Sequence, residues 1–292
     1  MSKSKIKIGT DSTADIPKQL CEELNISVLP LSIIYEGKEY VEGIDITPQP
    51  FYEMLENCKE IPTSSQVPTN LYMELYEKTL AEGYTDLIQV SINSKGSGTY
   101  QAAVLAKELF YENHPEAKDK LSIHNIDSET YSMIYGYATV QAAKMVKDGV
   151  GVEEIIEKTK KTIKATRAMF VPMTLRFVKK SGRISPTAAF VGDALGLKPV
   201  ITFENGEAKT VSKIRGDKQV INGVLEICKK ERKQGTPYMI VYGNNKEKYE
   251  EIRKACIEQF GQEPEIEYPV GCIIAMNTGP DMIAVIYLTE EV

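Results

Sequence analysis

The chain has 292 residues, of which 42% are hydrophobic and 26% charged, and a net charge of −6. That length and apolar content suffice for two domains, each with its own core. An acidic balance excludes the basic face that nucleic acid requires and offers no polybasic patch to anionic lipid headgroups.

Along the first half, apolar runs bounded by turn residues alternate with helical patterns, the signature of an α/β fold. Residues 5–10 read as a first strand that runs into the polar loop Asp11-Ser12-Thr13. A short helix follows, with Pro17 at its start and Leu20 and Leu24 on one face. Residues 26–35 read as one strand, turned at Glu36-Gly37 into a run over 38–41. Thr47-Pro48 is a helix start, a hydroxyl cap before a proline at the first helical position, and Phe51, Leu55 and Cys58 follow at helical spacing. Residues 61–68 read as a loop leading to a helix with Tyr72, Leu75 and Thr79. A buried-type strand over 86–91 gives way to a Ser/Gly loop over 93–98 and a helix carrying Ala102, Ala106 and Leu109. A strand over 121–127 and a long helix to about Lys147 complete a parallel sheet with helical crossovers.

The second half reads differently. Asn205-Gly206 between two strand-like runs over 200–214 predicts a hairpin, hence antiparallel pairing. Helices fit 220–233 and 246–260, and strands fit 238–242 and 282–288. The expected architecture is α/β in two domains. Residues 1–165 form a three-layer α/β/α parallel sheet, and residues 166–292 form a mixed sheet with helices. The boundary falls in or just after a lysine-rich helix.

Five cysteines, none at C-x-x-C spacing, predict reduced, buried thiols and neither a disulfide framework nor a zinc site. The opening residues lack the apolar stretch of a secretory leader, and no apolar run reaches membrane-spanning length, so a cytoplasmic protein is expected.

Three polar loops follow strands in the first half, over 10–15, 64–66 and 93–99, and ligands of open parallel sheets bind at such carboxyl ends. Ser94, Ser97 and Thr99 add hydroxyls where a helix begins; neutral donors suit a carboxylate that must be buried. Ordinary caps and turns would use the same residues. Gly96 and Gly98 are not followed by Gly-Lys-Ser/Thr, so no phosphate-binding P-loop is present. In the second half, residues 179–185 read as a basic turn before a helix capped by Ser185 with Pro186 next, and Arg183 could instead reach an anion held by the first half. Lys213 and Arg215 end the hairpin with the same two readings, and residues 277–281 read as a tight turn after an apolar strand. A hydrolase needs a base beside its nucleophile, and the two histidines, His114 in an acidic loop and His124 in a strand, are poorly placed for one. Asp11, Asp15 and Asp45 could hold a metal, but capping is their expected role.

Taken together, these segments resemble the DegV family. Residues 10–17, Thr-Asp-Ser-Thr-Ala-Asp-Ile-Pro, resemble its opening motif, and 97–103, Ser-Gly-Thr-Tyr-Gln-Ala-Ala, its central one. Asp127-Ser128 matches the next strand end. Residues 180–185 are similar to its K-G-G-R-I-S segment, followed by Leu197-Lys198-Pro199, and 213–215 resemble its K-x-R element. The likeness runs from about Lys5 to Leu288. It implies a bacterial, non-enzymatic carrier that buries one fatty acid and presents it to a separate kinase, which makes an acyl phosphate for phospholipid synthesis. It places the carboxylate between the domains on Ser64 and Ser94, with Asn277 where the family has histidine. Arg183 and Arg215 are implied to serve the head group, phosphate or kinase docking. No cofactor or metal is implied. Ser64-Ser65-Gln66-Val67 replaces Thr-Ser-Gln-Pro, Ser181 departs from K-G-G-R, and Asp281 replaces the last glycine of H-x-G-P-G. The alternatives are a diverged lipid binder without a kinase, or a hydrolase or phosphotransferase for a small oxyanion.

Overall fold

The computed structural model describes residues 4–184 and 196–292. In the first half, strands β1 (Ile6–Asp11), β2 (Ile26–Leu29), β6 (Asp86–Ser91) and β7 (Ser122–Asp127) form a parallel sheet in the order β2-β1-β6-β7. β1 and β6 are buried along their whole length, as strands covered on both faces must be. The cover is helical: α1 (Lys18–Glu23), the pair α3 (Thr69–Ala81) and α4 (Thr99–Asn113), and the pair α5 (Met133–Lys147) and α6 (Val152–Ala165).

Residues 26–35 are not one strand. β2 ends at Leu29 and β3 (Ser32–Tyr35) belongs to a separate antiparallel sheet, β4-β3-β5, with β4 (Lys38–Val41) and β5 (Thr63–Ser65). Pro30 stands at the break; it has no N–H for a ladder, so the chain changes sheet there. The stretch expected as a loop over 61–68 therefore holds the strand β5, and α2 (Pro48–Asn57) precedes it.

The sheet of the second half has, among the described residues, six strands in the order β10-β9-β8-β13-β11-β12. They are β8 (Thr166–Pro172), β9 (Leu197–Glu204), β10 (Glu207–Arg215), β11 (Tyr238–Tyr242), β12 (Ile266–Pro269) and β13 (Met282–Leu288). Only β11 and β12 pair in parallel, so the sheet is mixed. The Asn205-Gly206 hairpin turn forms as expected, with φ of 51° and 80° at its two residues. Short helix α7 (Arg176–Ser181) follows β8, and α8 (Val220–Glu231) and α9 (Lys246–Phe260) pack on one face of the sheet. The helix cap expected at Ser185-Pro186 lies outside the described residues.

The apolar run before Asn277 is the helix α10 (Cys272–Thr278), not a strand, so Asn277 sits on a helix and not in a turn. A short, wholly buried apolar run has no polar face to betray its period, which makes helix and strand indistinguishable by pattern.

Candidate functional site

In the order β2-β1-β6-β7 the chain leaves β1 toward one edge and β6 toward the other. The loops after these two strands diverge and leave a crevice at their carboxyl ends. Asp11, the last residue of β1, ties the two lips together. It is fully buried; its Oδ2 accepts the Ile92 N–H at 2.8 Å, and its Oδ1 accepts the Thr13 N–H at 3.2 Å and the Tyr135 hydroxyl at 2.7 Å. Burial raises its carboxyl above the ordinary value, opposed by these hydrogen bonds. As expected, Asp11 caps the short helical turn over 12–14, and it also ties that loop to Ile92; Asp45 closes a local turn, its carboxylate accepting the Val41 N–H at 2.8 Å. Among the described residues no group of three or more His, Cys, Asp or Glu side chains is arranged to hold a metal.

Residues 92–98 form one rim of the crevice. The Ser94 N–H is held by Asp127 at the end of β7, at 3.1 Å, and the Ser97 hydroxyl accepts the Thr99 N–H as α4 begins. A side chain at Gly96 would overlap the Tyr131 hydroxyl, and one at Gly98 would overlap the Gln66 side-chain oxygen. Glycine at both positions lets the loop lie directly against its neighbours. Ser64 comes from the facing rim, placed by the pairing of β5 with β3, in which it stands opposite Ile33.

Between the rims opens a cavity of ≈ 440 Å³, a size typical of small-molecule sites. Its mouth is polar, with Ser64, Gln66, Ser94, Ser97, Ser132 and Arg183. Its body is apolar and comes largely from the sheet of the second half. Strand alternation turns Ala168 and Phe170 of β8, Val241 of β11 and Ala284 and Ile286 of β13 toward the cavity. Their neighbours Met169, Val171, Ile240, Ile283 and Val285 face the other way, into the core under α8 and α9.

Helix α10 supplies another wall through Ile273, Ile274, Asn277 and Thr278. Two carboxylates from the first half hold its start. Asp15 Oδ1 accepts the Gly271 N–H and Glu42 Oε1 accepts the Ile273 N–H, each at 3.0 Å. The Ser132 hydroxyl donates to Asp15, and the Ser12 hydroxyl to Glu42 at 2.5 Å. Burial pushes the Asp15 carboxyl well above its ordinary value, opposed by the Ser132 bond and reinforced by the Glu42 charge. Burial also raises Glu42.

The structure brings Ser64, Ser94, Arg183 and Asn277 to the wall of this one cavity. The Ser64 and Ser94 hydroxyls make no hydrogen bond to any described residue, and both are partly exposed to the cavity. Arg183 donates from Nε to the Gly96 carbonyl at 3.3 Å, across the mouth, and from its terminal nitrogen to the Ser181 carbonyl at 2.7 Å. Asn277 gives one amide N–H back to Ile273, one helical turn earlier, at 2.7 Å. Arg215 is exposed at the end of β10 and does not line the cavity. Asp281 lies outside it as well, paired with Lys248 at 3.4 Å. Neither histidine is near: His114 faces Glu77 and packs tilted against the Phe110 ring, and His124 faces Asp86 at 3.1 Å.

Tyr131 and Ser132 line the mouth and were missed by the sequence reading. Their signal was available, since residues 128–132 form a polar loop after a predicted strand, as the other rim loops do. Glu42 carried no such signal; only the contact between sequence-distant segments reveals it.

Comparison with known proteins places these features. The family model described as an uncharacterised protein of the DegV family matches residues 5–290. A DegV domain-containing protein of Caldanaerobacter subterraneus subsp. tengcongensis is 33% identical over 97% of this chain and 98% of its own. Among solved structures, a stearic-acid-binding protein from Eubacterium ventriosum superposes with a TM-score of 0.88 at 26% identity, covering 97% of this chain and 98% of its own. DegV of Bacillus subtilis, described as a fatty acid binding protein, gives 0.85 at 27% identity over 98% and 100%. With the family match spanning all three sheets and every loop of the cavity mouth, the chain belongs to the DegV family.

Proposed function

We propose that this protein is a carrier that holds one long-chain fatty acid in the cavity and presents it to a partner kinase for acyl-phosphate formation. In this reading the acyl tail lies along the sheet of the second half and the carboxylate sits at the mouth on Ser64 and Ser94, with Arg183 and Asn277 beside it. The halves 1–165 and 166–292 act as two domains, the first giving most of the head-group loops and the second most of the tail surface. Exposed Arg215 serves the phosphate or the partner.

The observation that carries this reading is the polarity of the cavity: an apolar body ending at a mouth with two hydroxyls that no described residue occupies. Each CH₂ taken from water into such a body contributes about 0.8 kcal/mol. Hydroxyl donors satisfy a carboxylate without a second desolvated charge, and Arg183 at the exposed rim adds attraction at small desolvation cost. Among the described residues no histidine lines the cavity, which supports a carrier over a hydrolase. The fatty acids named for the solved relatives support the ligand class. Asn277 favours a second reading, a lipid binder without kinase partnership, because asparagine neither titrates near neutral pH nor carries charge.

Native mass spectrometry of protein from a bacterial host should show one fatty acid per chain, and stripped protein should take up one equivalent of added oleate. A protein that is empty as purified and ignores oleate rejects the reading. Acyl-phosphate formation with a cognate kinase separates the two readings.

A further inference from the structure

We propose that the tip of the β9–β10 hairpin closes over the cavity mouth, latched by Asn93 and Lys95, and that its release sets the rate at which ligand exchanges. The proposal rests on the cavity being a fatty-acid site. The hairpin's root is packed into the core, with Val200, Ile201 and Thr202 of β9 buried, so the part able to move is its tip beyond Phe203. β10 is the edge strand of the sheet, alternately exposed, and its ladder to β9 is interrupted between Thr210 and Ser212.

The tip is held by the other half of the molecule. Buried Asn93 donates its amide to the Gly206 carbonyl at 2.8 Å, and the Lys95 ammonium donates to the Asn205 carbonyl at 2.8 Å. Lys95 also lies 3.9 Å from Glu207. Both carbonyls belong to the two turn residues, so one small turn receives the whole latch. The same Asn93 amide donates to the Tyr131 hydroxyl at 2.8 Å, and the Tyr131 ring meets Phe203 of β9 with centroids 4.9 Å apart. Phe203 and Tyr131 are themselves cavity walls. Between the hairpin and Arg183 a cleft of ≈ 590 Å³ shares Lys95, Gly96 and Tyr131 with the cavity, which places the way out beneath the hairpin. A tip that projects from a packed root, is fixed to the other half by two side-chain bonds and lies beside an exit has the parts of a latch that local opening releases. Asn93 and Lys95 flank Ser94, so the latch and a head-group donor share one loop.

Stopped-flow exchange of cis-parinaric acid on the full chain tests this. In Asn93→Ala and Lys95→Met, association and dissociation rate constants should both rise, about tenfold for loss of a latch bond, with Kd nearly unchanged. A contact to the head group would instead raise dissociation and Kd together, and that result overturns the latch. Exchange at the wild-type rate in both variants also overturns it, while leaving fatty-acid binding intact. Wild-type protein that takes up no acid overturns the fatty-acid reading and the latch with it. Lys95 is exposed, so Lys95→Met decides the matter alone if Asn93→Ala fails to fold.

Discussion

Phe170 and Ala284 stand opposite each other across the β8–β13 ladder, both turned into the cavity. One row along, Ala168 stands opposite Ile286. Large and small side chains thus alternate over the floor, and the alanines leave depth that the usual β-branched strand residues would fill. Ala284→Leu puts an isobutyl group into that depth. Its expected effect is about a tenfold loss of stearate affinity and a smaller loss for laurate, with thermal stability unchanged or raised because space is filled without displacing packed atoms. Equal loss for both acids in a calorimetric titration would mean that the tail lies elsewhere.

The head group makes a separate prediction. Ser94→Ala removes a hydroxyl with no partner of its own, so folding should be little affected while carboxylate binding weakens by about tenfold, the value of a hydrogen bond to a charged group. Ser64→Ala should act similarly from the facing rim. The methyl ester of the same acid, a neutral and weaker acceptor, should be less sensitive to both substitutions. Unchanged affinity for the free acid in both variants moves the carboxylate away from these loops.

Much of this was legible in the residues. Alternating patterns gave the parallel sheet and its helices, and Asn205-Gly206 gave the hairpin, because local turn chemistry and strand periodicity carry those elements. Ser64, Ser94 and Arg183 were legible as polar groups at strand ends or basic turns, and they do meet at one mouth. The break at Pro30 was legible in principle, since proline marks the end of a ladder. The helix at Cys272–Thr278 was not, since every residue but Asn277 is buried and two carboxylates more than two hundred residues away cap its start. Contacts of that kind leave no trace in local pattern. The strand Thr166–Pro172 went unread because it follows α6 without a turn residue.

Gly98 tests how tightly the rim is built. Its backbone is ordinary for any residue, so Gly98→Ala acts only through the new methyl, which meets Gln66. The Gln66 side chain must leave the mouth or the loop must shift, and the expected loss is about 1–3 kcal/mol if the loop cannot give. Urea unfolding of Gly98→Ala and of Gly98→Ala with Gln66→Ala separates the causes. Recovery of most of the loss in the double variant identifies the overlap; no recovery assigns it to the loop backbone.

The pair Asp15 and Glu42 makes stability depend on pH in a definite direction. Both carboxyls are raised above their ordinary values in the folded chain by burial, and neighbouring Asp11 is raised as well. Below the ordinary carboxylate range, folded and unfolded chains both hold these protons and the groups contribute nothing. Above it the unfolded chain releases them first, so the folded chain binds more protons and stability falls as pH rises through the raised values. The melting temperature should therefore fall across that window as pH increases, apart from the effect of other groups. Asp15→Asn keeps an acceptor for the Gly271 N–H and removes one titration, so its melting temperature should depend less on pH. Asp15→Ala leaves that buried N–H and the Ser132 hydroxyl without their partner, and should cost about 1–3 kcal/mol at low pH, less as pH rises through the raised Asp15 value. The helix they hold forms a wall of the cavity, so oleate affinity should drop in Asp15→Ala and survive in Asp15→Asn. A pH slope in Asp15→Asn equal to that of the wild type would show that Asp15 is ionised by the same degree in both states, and that the start of the helix is held by hydrogen bonding alone.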